Sequence, residues 1–279
     1  MMRGMFAAIS GLKQHQTMLD VTANDIANVN TIGYKSSRVT FQDSLTQMQR
    51  GASSASTSTG GSNAAQIGLG VGLGSIDNLM SGGTTQTTGN PLDVAIQGDG
   101  FFQLAEGDPT AATMNASSYT RAGNFSVSND GYLTTQSGEY VLGYAQPTTP
   151  TSVASAIKIP DGATGVAVDG SGGVSYVDPA DGLRKTDYRL TLATFTNASG
   201  LERKGGNSWT ISANSGTKTV NTPGVGGTGI TQAGAVEMSN VDLAQTFTNM
   251  ITAQRGFQAN SRVISTADSM LEDLVNLKR

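Results

Sequence analysis

The stretch SNVDLAQTFTNMITAQRGFQANSRVISTADSMLEDLVNLKR, Ser239 to Arg279, decides the architecture. It contains no proline, and Leu243, Met250, Phe257, Ile264 and Leu271 recur in it every seven residues. Such a repeat keeps one stripe of an α-helix facing a partner when helices wind around each other. The spacing predicts a helix over about 240–278, roughly 57 Å long at 1.5 Å rise per residue. Ser239 followed by Asp242 supplies a capping order at its start. Phe247 fills the first intermediate place of the seam, whereas Gln254, Ser261 and Asp268 occupy the later ones.

The other end of the chain has a matching pattern. Met5, Leu12, Leu19 and Ile26 repeat with the same period, and Ile9 and Ala23 stand at intermediate places on either side of Gln16. A second helix is predicted over about 4–29. Phe6, Met18 and Val21 on the first helix, and Ile251, Val263, Leu274 and Val275 on the second, lie off the stripe and would stay wet in a pair. An intramolecular hairpin that merely tidies the ends leaves those faces unexplained. The expected assembly interface is therefore Met5, Ile9, Leu12, Leu19, Ile26, Leu243, Phe247, Met250, Phe257, Ile264 and Leu271, shared with other copies. In an isolated monomer nothing offsets the entropy of ordering such helices, so they are expected to be poorly ordered before assembly.

Composition narrows the function classes. Charged residues make up only 14% of the 279, with 21 acidic and 17 basic side chains and a net charge of -4, so no basic field awaits a nucleic acid. Cysteine is absent, which removes disulfides and thiolate chemistry. The N-terminus lacks the pattern of a cleaved secretory signal, and the apolar runs fall short of the ~20 residues that span a bilayer. Such a chain either stays inside the cell or leaves by a route that does not cleave a signal; no membrane insertion is expected.

Between the helices, Asn28-Val29-Asn30-Thr31-Ile32-Gly33-Tyr34 breaks helical propensity and predicts a turn. A short amphipathic segment follows over 37–48, then the Gly/Ser-rich GASSASTSTGGSNA, 51–64, read as a flexible or extended connector. The glycines of Gly68-Leu69-Gly70-Val71-Gly72-Leu73-Gly74 lack the strand–loop–helix context of a phosphate loop, and extended chain with Leu69, Val71 and Leu73 on one face is expected instead. From about 76 to 236, short runs of Val, Thr, Tyr and Phe punctuated by Gly, Asn and Asp read as strands: 92–97, 100–104, 132–136, 140–144, 188–195 and 209–212. Asp99-Gly100 and Asp130-Gly131 are hairpin corners. The fold class is α+β: residues 1–45 with 237–279 form a coiled-coil helical layer, 46–90 an extended connector and 91–236 a β domain.

No catalytic, metal or cofactor site is expected. The single histidine, His15, sits beside the N-terminal seam with no cysteine to join it. No G-x-S-x-G turn is present, and half of the aspartates adjoin Gly or Asn as turn formers.

Four stretches resemble one family, the rod and hook proteins that build the axis of the bacterial flagellum. Ala23 to Lys35, ANDIANVNTIGYK, is similar to the family's N-terminal signature, with Asp25 where a second Asn is usual and Ile32 where Pro is frequent. Asn90 to Phe102, NPLDVAIQGDGFF, resembles the entry to the family's β domain. Tyr119 to Phe125 with Asp130 to Leu133 resembles the following hairpins, and Ser239 to Leu243 through Gln254 to Ser261 the C-terminal helix. The region from about 145 to 185 matches little.

The resemblance implies export through the flagellar type III apparatus without a cleaved signal, and self-assembly into a hollow helical tube whose terminal helices line the channel. Asp99, Asp242-Leu243 and Arg255-Gly256-Phe257-Gln258 look more like hook than rod. The expectation is thus a short hook subunit: part of an extracellular, bendable universal joint, without enzymatic activity. Its partners would be further copies, the adjoining rod, hook-cap and hook–filament junction proteins, and the export apparatus. The alternative is the distal rod of the basal body, whose proteins carry an insertion in a place comparable to 51–64 that stiffens the tube. From other classes, a secreted adhesin-like β protein would not need heptads at both ends, and a hydrolase would need a cleft of clustered acids.

Overall fold

The computed structural model describes residues 2–55, 60–110, 114–145 and 154–277. The centre of the 51–64 segment, 56–59, and residues 146–153 of the poorly matching region lie outside the described residues. The chain is α+β and divides into two compact units, one holding the residues up to Ala27, Ser37–Asn78 and those from Asp242 onward, the other Asn28–Ser36 and Leu79–Val241.

In the first unit, α1 (Met2–Ala27) and α2 (Leu243–Asn276) pair antiparallel: Gly11 lies against Asn260, and Gly256 against His15. Asp242, not Ser239, caps α2, its carboxylate accepting from the backbone N–H of Ala244 at 2.9 Å and of Gln245 at 3.2 Å. Ser239 lies too far upstream and accepts from Val241 N–H instead. Asp242→Ala is expected to cost about 1 kcal/mol of helix stability, read as a lower melting temperature of the assembled helices by circular dichroism; an unchanged transition would show that the cap contributes nothing.

Between the helices the chain runs out and back as an antiparallel ribbon. Strands β1 (Ser37–Asp43) and β4 (Val71–Asn78) pair at its base, and β2 (Thr46–Arg50) and β3 (Ala65–Gly68) further out, with a last bridge between Ser53 and Ser62. Residues 46–78 of the 46–90 stretch read as connector thus belong mostly to this ribbon. The Gly-rich run 68–74 passes from β3 into β4 with a kink at Gly70, φ +126°. At 3.4 Å per residue, Ser37 to Arg50 reaches roughly 45 Å.

The second unit is built on an antiparallel sheet whose path runs through Thr164–Val168, Gly173–Val177, Arg184–Leu190, Tyr140–Ala145, Phe101–Ala105, Ser118–Thr120, Ser208–Thr210 and Glu202–Gly205. The strands predicted at 92–97, 100–104, 140–144 and 209–212 each overlap a strand, at Val94–Gln97, Phe101–Ala105, Tyr140–Ala145 and Ser208–Thr210, the one predicted at 132–136 shortens to Leu133–Thr134, and 188–195 divides between two that end and begin around Thr191. The core is apolar: Val94, Phe102, Leu133, Val141, Leu190 and Leu192 are all sealed from solvent, with Phe102 and Phe125 edge to face at 5.0 Å. The Asp130-Gly131 corner forms as expected, Gly131 at φ +79° donating to Ser128 O.

Candidate functional site

Unit one offers packing surfaces. The buried residues of the helices are Ala8, Gly11, Thr22 and Asp25 of α1 and Thr246, Ala253 and Ala267 of α2, and the two meet where Gly11 faces Asn260 and Gly256 faces His15. These are small or polar residues. A Cβ on Gly11 would meet Asn260, and one on Gly256 would overlap the His15 ring. Small groups at the contact let helix axes approach closely, and the bulkier apolar residues are displaced to the flanks. Met5, Leu12, Leu19, Ile26, Met250, Ile264 and Leu271 are half-buried. Ile9, Leu243, Phe247 and Phe257 remain exposed, and so do Gln16 and Ala23. Periodicity located the two helices but read the centre of their contact one position away, because a hydrophobicity pattern does not register Gly, Ala and Thr. Beside the pair, Gly4, Met5, Val263, Ala267 and Met270 line an open apolar groove of about 380 Å³.

The ribbon is two-faced. In its register Val39 opposes Ile76, Phe41 opposes Leu73 and Asp43 opposes Val71, so these side chains share one face, while Arg38, Thr40, Ser75 and Asp77 share the other. The helix α1 packs on the base of this ribbon: the His15 and Phe41 rings meet edge to face at 6.0 Å, and Val71 N–H donates to Ser10 Oγ at 3.2 Å. The end of α1 is tied to it too, since Asp25 accepts from Ser37 N–H at 3.2 Å. Further out Leu45 is 77% exposed, and Met48, Ile67 and Leu69 are exposed as well.

Unit two contains a clamp that sequence reading did not find. Its centre is Glu237, whose two oxygens accept from Lys35 Nζ at 2.6 Å, Arg121 at 3.1 Å and Gly83 N–H at 2.8 Å; all three side chains are essentially sealed from water. Burial resists charge on Glu237, but the Arg121 and Lys35 charges outweigh it and hold the carboxyl below the usual 4.5. Burial in turn draws Lys35 below the ordinary lysine value, with Glu237 opposing. The segment 28–36 is held along its length. Gly33, at φ +69° and so close to Ala122 that a Cβ would clash, donates to Glu237 O at 2.8 Å. Asn207 donates to Ile32 O at 2.9 Å, and the Arg203 guanidinium donates to Lys35 O while lying 4.9 Å from the Tyr34 ring and 5.1 Å from that of Trp209. Lys35, Tyr34 and Arg121 all occur in the stretches that carry the family resemblance; the signal available was a lysine and an arginine in segments otherwise almost free of charge.

The helix pair and the ribbon both present exposed large apolar side chains, Phe6, Phe247, Ile251, Leu45 and Met48 among them. Three family descriptions match the chain: "Flagella basal body rod protein" over residues 5–35, "Flagellar hook protein FlgE/F/G D1 domain" over 95–176 and "Flagellar basal body rod FlgEFG protein C-terminal" over 232–277. Among curated relatives, the flagellar basal-body rod protein FlgG of Bacillus subtilis is 48% identical over the whole of both chains. That of Caulobacter vibrioides is 38% identical over 99% of this chain and 100% of its own. The flagellar hook protein FlgE of Borreliella burgdorferi is 25% identical over a 448-residue alignment spanning both chains. The chain belongs to the bacterial flagellar rod and hook family.

Proposed function

We propose that this protein is the subunit of the distal rod of the flagellar basal body, a non-enzymatic building block exported without a cleaved signal and stacked as a straight hollow tube. Of the two readings the sequence allowed, the relatives support the rod better than the hook: end-to-end matches of equal length carry the rod name, and the hook match is weaker and needs a far longer alignment. The hook-like residues at Asp99 and Arg255-Gly256-Phe257-Gln258 are outweighed by agreement along the whole chain.

The observation that carries the mechanical reading is the ribbon. A bending joint needs contacts that slide, whereas a stiff tube needs contacts that lock. The uncovered Leu45, Met48, Ile67 and Leu69 are each worth about 1.5–3 kcal/mol on full burial, enough to fix a neighbouring copy in one position when they act together. The exposed Ile9, Leu243, Phe247 and Phe257, with the half-buried Met5, Leu12, Leu19, Ile26, Met250, Ile264 and Leu271, form the inner contact with other copies. The partners are further copies, the rest of the rod on one side and the hook on the other, and the export apparatus.

Replacing residues 46–68 by a two-residue turn is expected to leave a polymerising subunit whose tubes bend visibly in electron micrographs; tubes as straight as those of the parent would remove the ribbon from the stiffening mechanism. The assignment itself is tested by a tag at the exposed Gly170, located by cryo-electron microscopy of flagella isolated from cells. Label is expected on the straight segment within the envelope, and label on the curved segment outside would restore the hook.

A further inference from the structure

Three of the four places where the chain passes from one unit to the other, after Ser36, before Leu79 and after Val241, converge on one side chain. Asn240 Oδ1 accepts from Ser36 N–H at 2.7 Å, its Nδ2 donates to Leu79 O at 2.8 Å and to Ser81 O at 3.2 Å, and Leu79 N–H closes the circuit on Ser36 O at 2.8 Å. The residues on either side are anchored by Glu237, because Lys35 Nζ bridges its carboxylate and Ser81 O. Every one of these bonds lies within the second unit, so none depends on the helices being folded.

We propose that Asn240 is the positioning residue of a latch, made of residues 33–36, 79–81 and 237–240, that is already closed in the unassembled monomer. With the latch closed, the ribbon and α2 start from fixed neighbouring points while the helices are still unpaired. The second helix then finds the first within its own chain, at the high effective concentration of a short tether, rather than in another subunit. An asparagine serves this purpose because one planar amide presents both an acceptor and two donors, matching one N–H and two carbonyls.

The test is hydrogen exchange followed by NMR on the full chain, kept below the concentration at which it assembles. In the parent the Ser36 and Leu79 amides are expected to exchange as slowly as the core amide of Leu133, while those of α2 exchange fast. In Asn240→Ala, Ser36 and Leu79 should exchange about tenfold faster, the equivalent of one lost, partly buried hydrogen bond, with Leu133 unchanged. Asn240→Asp keeps an acceptor and should leave Ser36 protected. Polymerisation of Asn240→Ala, followed by light scattering, should slow by a similar factor. Parent Ser36 and Leu79 amides as labile as those of α2, or an Asn240→Ala variant that keeps them protected or assembles at the parent rate, would overturn the latch. The exchange result is read on monomer, so it stands or falls apart from the choice between rod and hook.

Discussion

Glu237→Gln is expected to destabilise the β-rich unit by about 3–5 kcal/mol, because removing one partner of a buried ion pair leaves uncompensated charge in the interior. Here two cations, Lys35 and Arg121, lose their shared carboxylate while remaining sealed from solvent. For a unit of this size the melting temperature should fall by on the order of 10 °C, measured calorimetrically on monomer. The pH dependence follows from the direction of the shift. The Glu237 carboxyl titrates lower in the folded protein than in the unfolded chain, so its contribution is complete above about pH 4.5 and is lost as pH falls through the lower folded value. The parent should therefore lose stability steeply in acid, and Glu237→Gln should follow a shallower curve from a lower starting point. A variant within 1 kcal/mol of the parent at neutral pH would mean that the clamp is not a source of stability.

The second large effect is expected at the helix contact. Gly256→Val places two methyl groups where the His15 ring lies, and overpacking of this kind costs about 1–3 kcal/mol per site. The cost recurs in every subunit of a polymer, so tube formation should be abolished while the calorimetric transition of the β-rich unit is untouched. The double variant His15→Ala, Gly256→Val vacates the ring and should recover assembly, which isolates the steric term from any loss of local helix propensity. Polymerisation of Gly256→Val at the parent rate would show that α1 and α2 do not pair in the tube as they do in this structure.

These two positions differ in how much of their role is written in the sequence. Helix existence, strand existence and the α+β class were legible, because Leu243 to Leu271 and Met5 to Ile26 carry a period, and runs such as Val94–Gln97 and Phe101–Ala105 carry β-branched and aromatic residues between turn formers. Those signals are local, set by backbone geometry and by which side chains avoid water. The family resemblance was legible for the same reason, as short strings at fixed places.

Other features were decided only by tertiary structure. The helix contact is reached through Gly11 and Gly256, with Ala253 and Ala267 among the buried residues of α2, and smallness has no hydrophobic period. The two-sided ribbon depends on which residue opposes which across 41 positions at its base, from Ser37 to Asn78. No window of sequence contains that register. The clamp joins Lys35 to Glu237 and the latch joins Ser36 to Asn240, pairs separated by 202 and 204 residues. A charge or an amide reads in sequence as a solvated group. Only folding, which takes it out of water and brings its distant partner to within a hydrogen bond, turns it into a joint.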